Sequence, residues 1–188
     1  MDYLKSKHFN KVFAKKDSYP DRENNKLIDV LKNYKFNSLL EIGCGNGRNL
    51  DLIRKKTDIK DLKGIDISDV GVKYARERGL DVVVGSANNL PYSDKSFDIV
   101  LTYHSLEQMK YIIDDVVKEI NRVSKKYVIS FEPCFELQNI FGKFHNFMQD
   151  YVKGLPYIFE KYGFKVECFK RLNGGKWKNR TCLLICKL

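Results

Sequence analysis

The 188-residue sequence lacks the segments that identify membrane-spanning and exported proteins. It has no run of about 18 apolar residues, so it predicts no membrane-spanning helix. The first residues, MDYLKSKHFNKVFAKKD, lack the apolar core of a signal peptide, and we therefore expect a cytoplasmic protein without a membrane partner. The five cysteines include no C-x-x-C pair, which favours buried free thiols over disulfides and predicts no metal site.

The most informative stretch, residues 39–50 (LLEIGCGNGRNL), departs from two common nucleotide-binding motifs. A dinucleotide fingerprint requires a glycine where Arg48 stands, and a P-loop requires a terminal Gly-Lys-Ser/Thr. The stretch instead has an apolar, strand-like run that ends in Gly43, Gly45 and Gly47, followed by a helical pattern from Arg48. Glycines allow positive φ and let backbone amides approach a ligand. The pattern predicts a strand, a ligand-binding loop and a helix, and a purely structural turn is the alternative.

This E-x-G-x-G-x-G pattern resembles the class I S-adenosylmethionine-dependent methyltransferases, in particular the small-molecule, UbiE-like group (methyltransferase type 11). The resemblance implies an α/β fold with a Rossmann-like, seven-stranded, mostly parallel sheet. Its strand order would be 3-2-1-4-5-7-6, with strand 7 antiparallel and helices on both faces. We expect a single domain over residues 1–188, with a helical lid segment at 1–34 and an aromatic-rich, substrate-side insertion at 134–153.

Two later segments extend the resemblance. Residues 85–100 (GSANNLPYSDKSFDIV) resemble the acidic-Ala-x-x-Leu-Pro-Phe run that precedes strand 4 of the family, although Ser86 replaces the usual aspartate. A serine offers only a neutral hydrogen bond to adenine, so we expect cofactor binding to survive in weaker form, with Asn88 compensating. Leu106 and Glu107 resemble the family's Leu-Glu-His sequence after strand 4, with Gln108 in place of the histidine.

Asp66 ends the second predicted strand, residues 62–67. An acidic side chain there accepts the hydroxyl hydrogens of an adenosine ribose, because ligands of parallel sheets lie across the carboxyl ends of the strands. The alternative role is an N-cap for the helix predicted at 70–78, although Ser68 or Asp69 serves that purpose equally well.

The resemblance implies S-adenosylmethionine as the cofactor and S-adenosylhomocysteine as the product. Residues at the predicted strand ends would hold its three parts. The cofactor-binding residues are Glu41, Gly43, Cys44, Gly45, Asn46 and Gly47 for the methionine end, Asp66 and Ile67 for the ribose, Ser86, Ala87 and Asn88 for the adenine, and Tyr103 after strand 4.

His104 is the candidate catalytic residue. It is the one histidine at the predicted active edge, and a general base is required only when the methyl acceptor is a hydroxyl or a protonated amine. The alternative is a histidine that only hydrogen-bonds its own loop.

The leading hypothesis for function is an enzyme that methylates an oxygen or nitrogen of a small molecule, because no extra recognition domain is visible. The only insertion, residues 134–153, carries aromatic side chains that either wall a substrate pocket or form the buried face of a helix. The oligomeric state is not predicted.

Two alternatives keep the same cofactor site. Nucleic acid is the weaker candidate substrate: an RNA (tRNA or rRNA) methyltransferase would use the basic 170–180 hairpin, where a tryptophan able to stack on a base stands among cationic side chains, namely Lys170, Arg171, Lys176, Trp177, Lys178 and Arg180. The other alternative is a non-catalytic protein that binds the cofactor and serves as a partner subunit. The net charge of +10 does not by itself separate these classes.

Overall fold

The structure is a computed structural model that describes residues 2–13, 25–172 and 181–188. The strands of the described part are β1 Ser38–Ile42, β2 Asp61–Asp66, β3 Asp81–Val84, β4 Phe97–Tyr103, β5 Ser124–Glu132, β6 Lys165–Arg171 and β7 Cys182–Lys187. The helices are α1 Asp2–Phe13, α2 Asn25–Leu31, α3 Arg48–Lys56, α4 Asp69–Glu77, α5 Ile113–Val123, α6 Ile140–Met148 and α7 Leu155–Lys161, with 3-10 turns at Leu106–Gln108 and Phe135–Leu137.

The seven strands form one sheet in the order β3-β2-β1-β4-β5-β7-β6, with β7 antiparallel to its neighbours and helices around the sheet. The predicted fold class is therefore confirmed. The chain contains two compact units, residues 1–87 and 88–188. The predicted single domain, with its lid at 1–34, stays a prediction.

The first unit contains the parallel strands β1, β2 and β3, in a register that pairs Ile42 with Ile65 and Asp66 with Val84. All residues of β1 are buried, as expected of a parallel strand that is covered on both faces. Helix α1 packs on α4, where Ser68 Oγ donates to Asn10 Oδ1 at 2.6 Å. The carboxyl ends of the three strands lie at one edge of this part of the sheet.

The second unit contains β4, β5, β6 and β7. The register pairs Tyr103 with Phe131 across β4 and β5, and it pairs Cys182 with both Glu132 and Arg171. The ends of β4, β5 and β6 therefore lie at the same edge as the start of β7. Strand β4 extends to Tyr103, so the loop after it begins at residue 104.

The insertion at 134–153 folds as a 3-10 turn followed by α6. Of the two alternatives for its aromatic side chains, the buried face of a helix is wrong for α6, because Phe141, Phe144 and Phe147 are exposed while Gly142 and Asn146 are buried. The substrate-pocket alternative stays a prediction. The predicted turn at residues 173–175 and the side chains of Lys176, Trp177, Lys178 and Arg180 lie outside the described residues.

No helix within the described ranges has the length and apolar character needed to cross a membrane. In the same part of the chain, no cluster of three or more His, Cys, Asp or Glu side chains is arranged to hold a metal ion. All five cysteines are free thiols, and four of them are buried.

Candidate functional site

The glycine loop follows directly after β1 and is fixed against the end of β2. Gly43, Gly45 and Gly47 have φ values of 73°, 53° and 76°, in the left-handed region that favours glycine. The amides of Gly43 and Cys44 both donate to the carbonyl of Ile65, at 2.8 and 3.1 Å, and the amide of Gly47 donates to the carbonyl of Cys44 at 2.9 Å. These amides therefore hold the shape of the loop.

Gly47 also allows a close approach between elements. A Cβ at this position would lie 2.4 Å from Leu80 Cδ1 and 2.9 Å from Ala75 Cβ. Gly47 is in addition the N-cap of α3, without any side-chain capping bond. The prediction that a helix starts at Arg48, directly after the glycines, is confirmed.

Glu41 is a buried carboxyl one residue before the end of β1, with 1% of its surface exposed. Its Oε1 accepts a hydrogen bond of 2.7 Å from Asn49 Nδ2, whereas its Oε2 has no hydrogen-bond partner among the described residues. Burial raises the pKa of Glu41 to about 8, against the opposing hydrogen bond from Asn49 and with a contribution from the charge of Asp66. A buried oxygen of this kind favours a donor, and above all a cationic one.

Asp66 lies at the end of β2 and is almost fully buried. Its Oδ2 accepts the amide of Gly45 at 2.7 Å, and its Oδ1 accepts the amide of Ser68 at 2.8 Å. Burial raises the pKa of Asp66, while the amide hydrogen bonds from Ser68, Gly45 and Ile67 oppose that rise. Because a carboxylate has about four acceptor positions, capacity for further donors remains.

The N-cap of α4 is Ser68, whose Oγ accepts the amide of Gly71 at 3.0 Å. The alternative role of Asp66 as the helix cap is therefore wrong. Asp66 instead joins the glycine loop to the start of α4, through the amides of Gly45 and Ser68.

The other predicted residues of the first unit lie along the same edge. The amide of Gly85 donates to the carbonyl of Asp66 at 3.0 Å, which ties the start of the loop after β3 to the end of β2. The next two residues, Ser86 and Ala87, are half-buried and buried. Ile67 is half-buried, and Cys44 and Asn46 are buried in the glycine loop. Burial also raises the pKa of the Cys44 thiol, which keeps it protonated.

His104 begins the loop after β4 and has a φ of 52°, an uncommon conformation for a residue with a Cβ. Its amide donates to the carbonyl of Phe131 at 2.9 Å. Its Nδ1 lies 3.2 Å from Glu107 Oε2, and its Nε2 lies 2.8 Å from Thr181 Oγ1. When Nδ1 donates to the carboxylate, Nε2 is the acceptor and receives the hydroxyl hydrogen of Thr181.

The charges around His104 favour its protonated form. Burial alone would lower the pKa of His104, but the hydrogen bond and the charge of Glu107, together with the charge of Glu132, raise it above its ordinary value. His104 therefore contacts both a carboxylate of its own loop and the hydroxyl of Thr181, and its role as a base stays a prediction.

Glu132 holds the same loop from the end of β5. It is fully buried, and its carboxylate accepts the amides of Ser105 and Leu106 at 3.2 Å and of Glu107 at 3.3 Å. Burial and the nearby charge of Glu107 raise the pKa of Glu132. The predictions missed the roles of Glu132 and Thr181. A buried acid at a strand end could have drawn attention to Glu132, but nothing in the sequence indicates Thr181.

Two further predicted residues belong to the second unit. Tyr103 stacks on Phe131 with ring centroids 5.1 Å apart, and Asn88 is half-buried. Their predicted contacts with the adenine and methionine parts of a cofactor stay predictions.

A sequence profile of the methyltransferase-domain family matches residues 40–129. One relative is the phthiotriol/phenolphthiotriol dimycocerosates methyltransferase of Mycobacterium tuberculosis, 32% identical over 87 residues that cover 43% of this chain and 32% of the relative. Another is the ajmaline N-methyltransferase of Rauvolfia serpentina, 37% identical over 81 residues that cover 39% of this chain and 28% of the relative. The chain thus spans about a third of the length of the curated relatives it matches.

Among solved structures, the chain is similar to a methyltransferase of Haloferax volcanii that was solved in complex with a methyltransferase activator. The TM-score is 0.77, with 17% sequence identity over 95% of this chain and 96% of the other. At this level of identity the similarity shows the fold alone.

Proposed function

Because residues 40–129 match the methyltransferase-domain family, we propose that this chain is an S-adenosylmethionine-dependent enzyme that transfers a methyl group to an oxygen or nitrogen of a small-molecule acceptor. The observation that carries the proposal is the Glu41 carboxylate, which is buried beside the glycine loop with one oxygen unpartnered among the described residues. S-adenosylmethionine, when bound, supplies a methyl group that its sulfonium has already activated.

Two carboxylates of the first unit can accept hydrogen bonds from two polar parts of this cofactor, the methionine ammonium and the ribose hydroxyls. Glu41 Oε2 suits the ammonium of the methionine end, because a cation offsets the cost of the buried carboxylate. The remaining acceptor capacity of Asp66 suits the ribose hydroxyls. We assign the loop glycines a shaping role, since the amides of Gly43 and Gly47 already donate within the fold.

The adenine contacts of Ser86, Ala87 and Asn88, and the role of Tyr103, belong to the same proposal. The half-buried hydroxyl of Ser86 follows the strand-end contact between Gly85 and Asp66, which supports a position close to the nucleoside. Ser86 contributes a neutral hydrogen bond at most, so most of the binding free energy should come from Glu41 and Asp66.

We assign His104 as the general base for acceptors that must lose a proton. The pairing of Nδ1 with Glu107 orients the ring and increases the basicity of Nε2. The Thr181 hydroxyl forms a hydrogen bond with Nε2 until the hydroxyl or amine of a methyl acceptor replaces it. Because the pKa of His104 is raised, the base is protonated and inactive at low pH. The rate should therefore rise as pH increases through that pKa.

The nature of the relatives supports a small acceptor. The Rauvolfia relative is named for N-methylation of ajmaline, and the Mycobacterium relative is named for phthiotriol dimycocerosates. Proximity and orientation account for up to about 7–11 kcal/mol of barrier lowering in well-aligned transfers, so the fold needs little further catalytic machinery.

Calorimetric titration with S-adenosylmethionine and S-adenosylhomocysteine tests the cofactor site. We expect micromolar binding by the wild type and its loss in Asp66→Ala, with unchanged binding in the matched control Asp69→Ala, an exposed acid in the first turn of α4. A folded wild-type protein that binds neither ligand would refute the proposal.

The release of S-adenosylhomocysteine from candidate metabolites and RNA then separates the possible acceptors. Turnover of a small molecule should depend little on salt, whereas methylation of RNA should fall steeply as salt rises. Binding of the cofactor without product from any acceptor would instead favour the non-catalytic partner protein.

A further inference from the structure

Helix α6 has its apolar and polar faces reversed relative to an ordinary surface helix. Its inward positions are Gly142 and Asn146, which are buried. Its outward side chains are 62–77% exposed and lie at positions i, i+1, i+4, i+7 and i+8, which share one side of a helix, namely Ile140, Phe141, Phe144, Phe147 and Met148. We call these five residues the aromatic face.

The aromatic face is large for an exposed apolar surface. With ~150–200 Å² per large side chain and about two thirds of it exposed, five side chains present roughly 500–650 Å² of apolar surface. The largest apolar patch of a typical soluble monomer is about 300–600 Å², and such patches are often functional.

The contacts of α6 keep this face pointing outward. Asn139 caps the helix by accepting the amide of Gly142 at 2.9 Å, and Asn146 Nδ2 donates to the carbonyl of Pro133 at 3.0 Å. A Cβ at Gly142 would lie 2.7 Å from Gln138 Oε1, so the inner side has no room for a larger residue. The helix therefore cannot turn its aromatic side chains inward without losing these contacts.

The surroundings of the aromatic face are positively charged. Lys153 Nζ lies 4.6 Å from the Phe135 ring centroid and 5.4 Å from that of Phe147, and Lys143 Nζ lies 5.5 Å from the Phe135 ring centroid. Within the described part of the chain, neither lysine forms an ion pair.

The nearby acids are already engaged. Asp150 pairs with Lys110 and accepts the Tyr111 hydroxyl at 2.7 Å. Glu136 accepts the amide of Gly154 at 2.6 Å. The charge of Lys153 also acts on Asp150, but neither Lys153 nor Lys143 forms an ion pair within the described part of the chain. This surface therefore offers a partner an apolar face with a cationic rim.

We propose that α6 docks the protein on the surface of an anionic lipid bilayer, with the aromatic face entering the boundary between headgroups and acyl chains and with Lys143 and Lys153 contacting lipid phosphates. A bilayer has an apolar layer beneath a layer of anionic headgroups. The aromatic face suits the apolar layer, and the lysines beside it suit the headgroups. A second copy of the chain fits less well, because a two-fold contact would bring the two lysine rims together. The docking does not depend on methyl transfer.

Co-sedimentation of the full-length protein with lipid vesicles tests the proposal. We expect binding to vesicles of equal parts phosphatidylcholine and phosphatidylglycerol, and at least ~10-fold weaker binding to phosphatidylcholine alone. The triple variant Phe141→Ser, Phe144→Ser, Phe147→Ser should lose binding to both. Tyr157→Ser, which removes another exposed aromatic ring on α7, should bind like the wild type.

A second pair of variants tests the role of Lys143 and Lys153. Lys143→Glu with Lys153→Glu should abolish the preference for anionic vesicles. Lys32→Glu with Lys60→Glu changes the net charge equally at exposed positions of the first unit and should keep that preference.

Circular dichroism of each variant establishes that it is folded. Three outcomes would overturn the proposal: no binding of the wild type to anionic vesicles, equal binding by the folded triple variant, or equal loss of preference in both lysine pairs. A dimer in light scattering that the triple variant abolishes, without vesicle binding, would assign the aromatic face to a second copy instead.

Discussion

Replacing Glu41 by glutamine should stabilise the ligand-free protein and weaken cofactor binding. The pKa of Glu41 is raised from 4.5 to about 8 by burial, so the folded state holds a proton that the unfolded chain has released across this pH range. The contribution of Glu41 to the free energy of unfolding is therefore fully present below pH 4.5, falls as the pH rises towards 8, and stays at its minimum above pH 8. At about 1.4 kcal/mol per pKa unit, the loss approaches roughly 4–5 kcal/mol as an upper limit.

Glu41→Gln removes this titration while keeping an oxygen for the contact with Asn49. We expect the urea-derived free energy of unfolding of the variant to exceed that of the wild type by roughly 2–5 kcal/mol at pH 8.5, and by almost nothing at pH 4.5. Because acids remote from Glu41 titrate equally in both proteins, the difference between the two curves reports Glu41 together with its charge interaction with Asp66. A difference that is independent of pH, or a variant that is less stable at pH 8.5, would refute the reasoning.

The same substitution tests the binding role. Loss of a hydrogen bond from a cationic donor to a carboxylate costs about 1.5–3 kcal/mol, so S-adenosylmethionine should bind Glu41→Gln roughly 10–150-fold more weakly. Calorimetry at pH 8.5 provides the measurement. If the variant is more stable but binds S-adenosylmethionine with unchanged affinity, then the Glu41 carboxylate destabilises the fold and does not bind this ligand.

Two further substitutions have defined outcomes. Gly47→Ala should lower the free energy of unfolding by about 2–4 kcal/mol in urea titrations, because φ is 76° and the new Cβ would lie 2.4 Å from Leu80 Cδ1; a neutral result would show that α3 and α4 can separate at low cost. Glu107→Gln should lower the pKa of His104 relative to the wild type, because the burial that lowers it would persist while the hydrogen bond to the Glu107 carboxylate and its charge are lost. NMR titration of wild type and variant measures this shift, and an unchanged His104 pKa would contradict the assigned pairing.

The sequence predicts the parts of the site that arise from local patterns. Three glycines at alternate positions between an apolar run and a helical period define the loop after β1, because the left-handed φ values of Gly43, Gly45 and Gly47 are a local requirement of the chain. The position of Asp66 follows from the same alternation of strands and helices. These features need no knowledge of which strands pair.

The contacts of His104 could not be predicted in this way. Thr181 is 77 residues away along the chain, and it reaches His104 only because β7 starts where β4 and β5 end. That edge depends on strand register, and register depends on packing between distant segments.

The orientation of α6 could not be predicted for a different physical reason. Periodicity shows that Phe141, Phe144 and Phe147 share a face, but it does not show which face of a helix is buried. Aromatic residues usually lie inward, and here the small Gly142 and the polar Asn146 lie inward instead. The decisive hydrogen bond, from Asn146 to the carbonyl of Pro133, joins residues that are 13 positions apart, so helical periodicity alone does not reveal it.

The three buried acids at the strand ends differ in what offsets the cost of burying them. Asp66 and Glu132 each accept several backbone amides, so their carboxylates fix loops, and removing either should destabilise the protein at every pH where it is ionised. Glu41 has one amide donor from Asn49 and one oxygen without a partner among the described residues. Folding alone therefore does not account for Glu41. We therefore propose that a cationic ligand, which arrives after folding, offsets the cost of burying the Glu41 carboxylate.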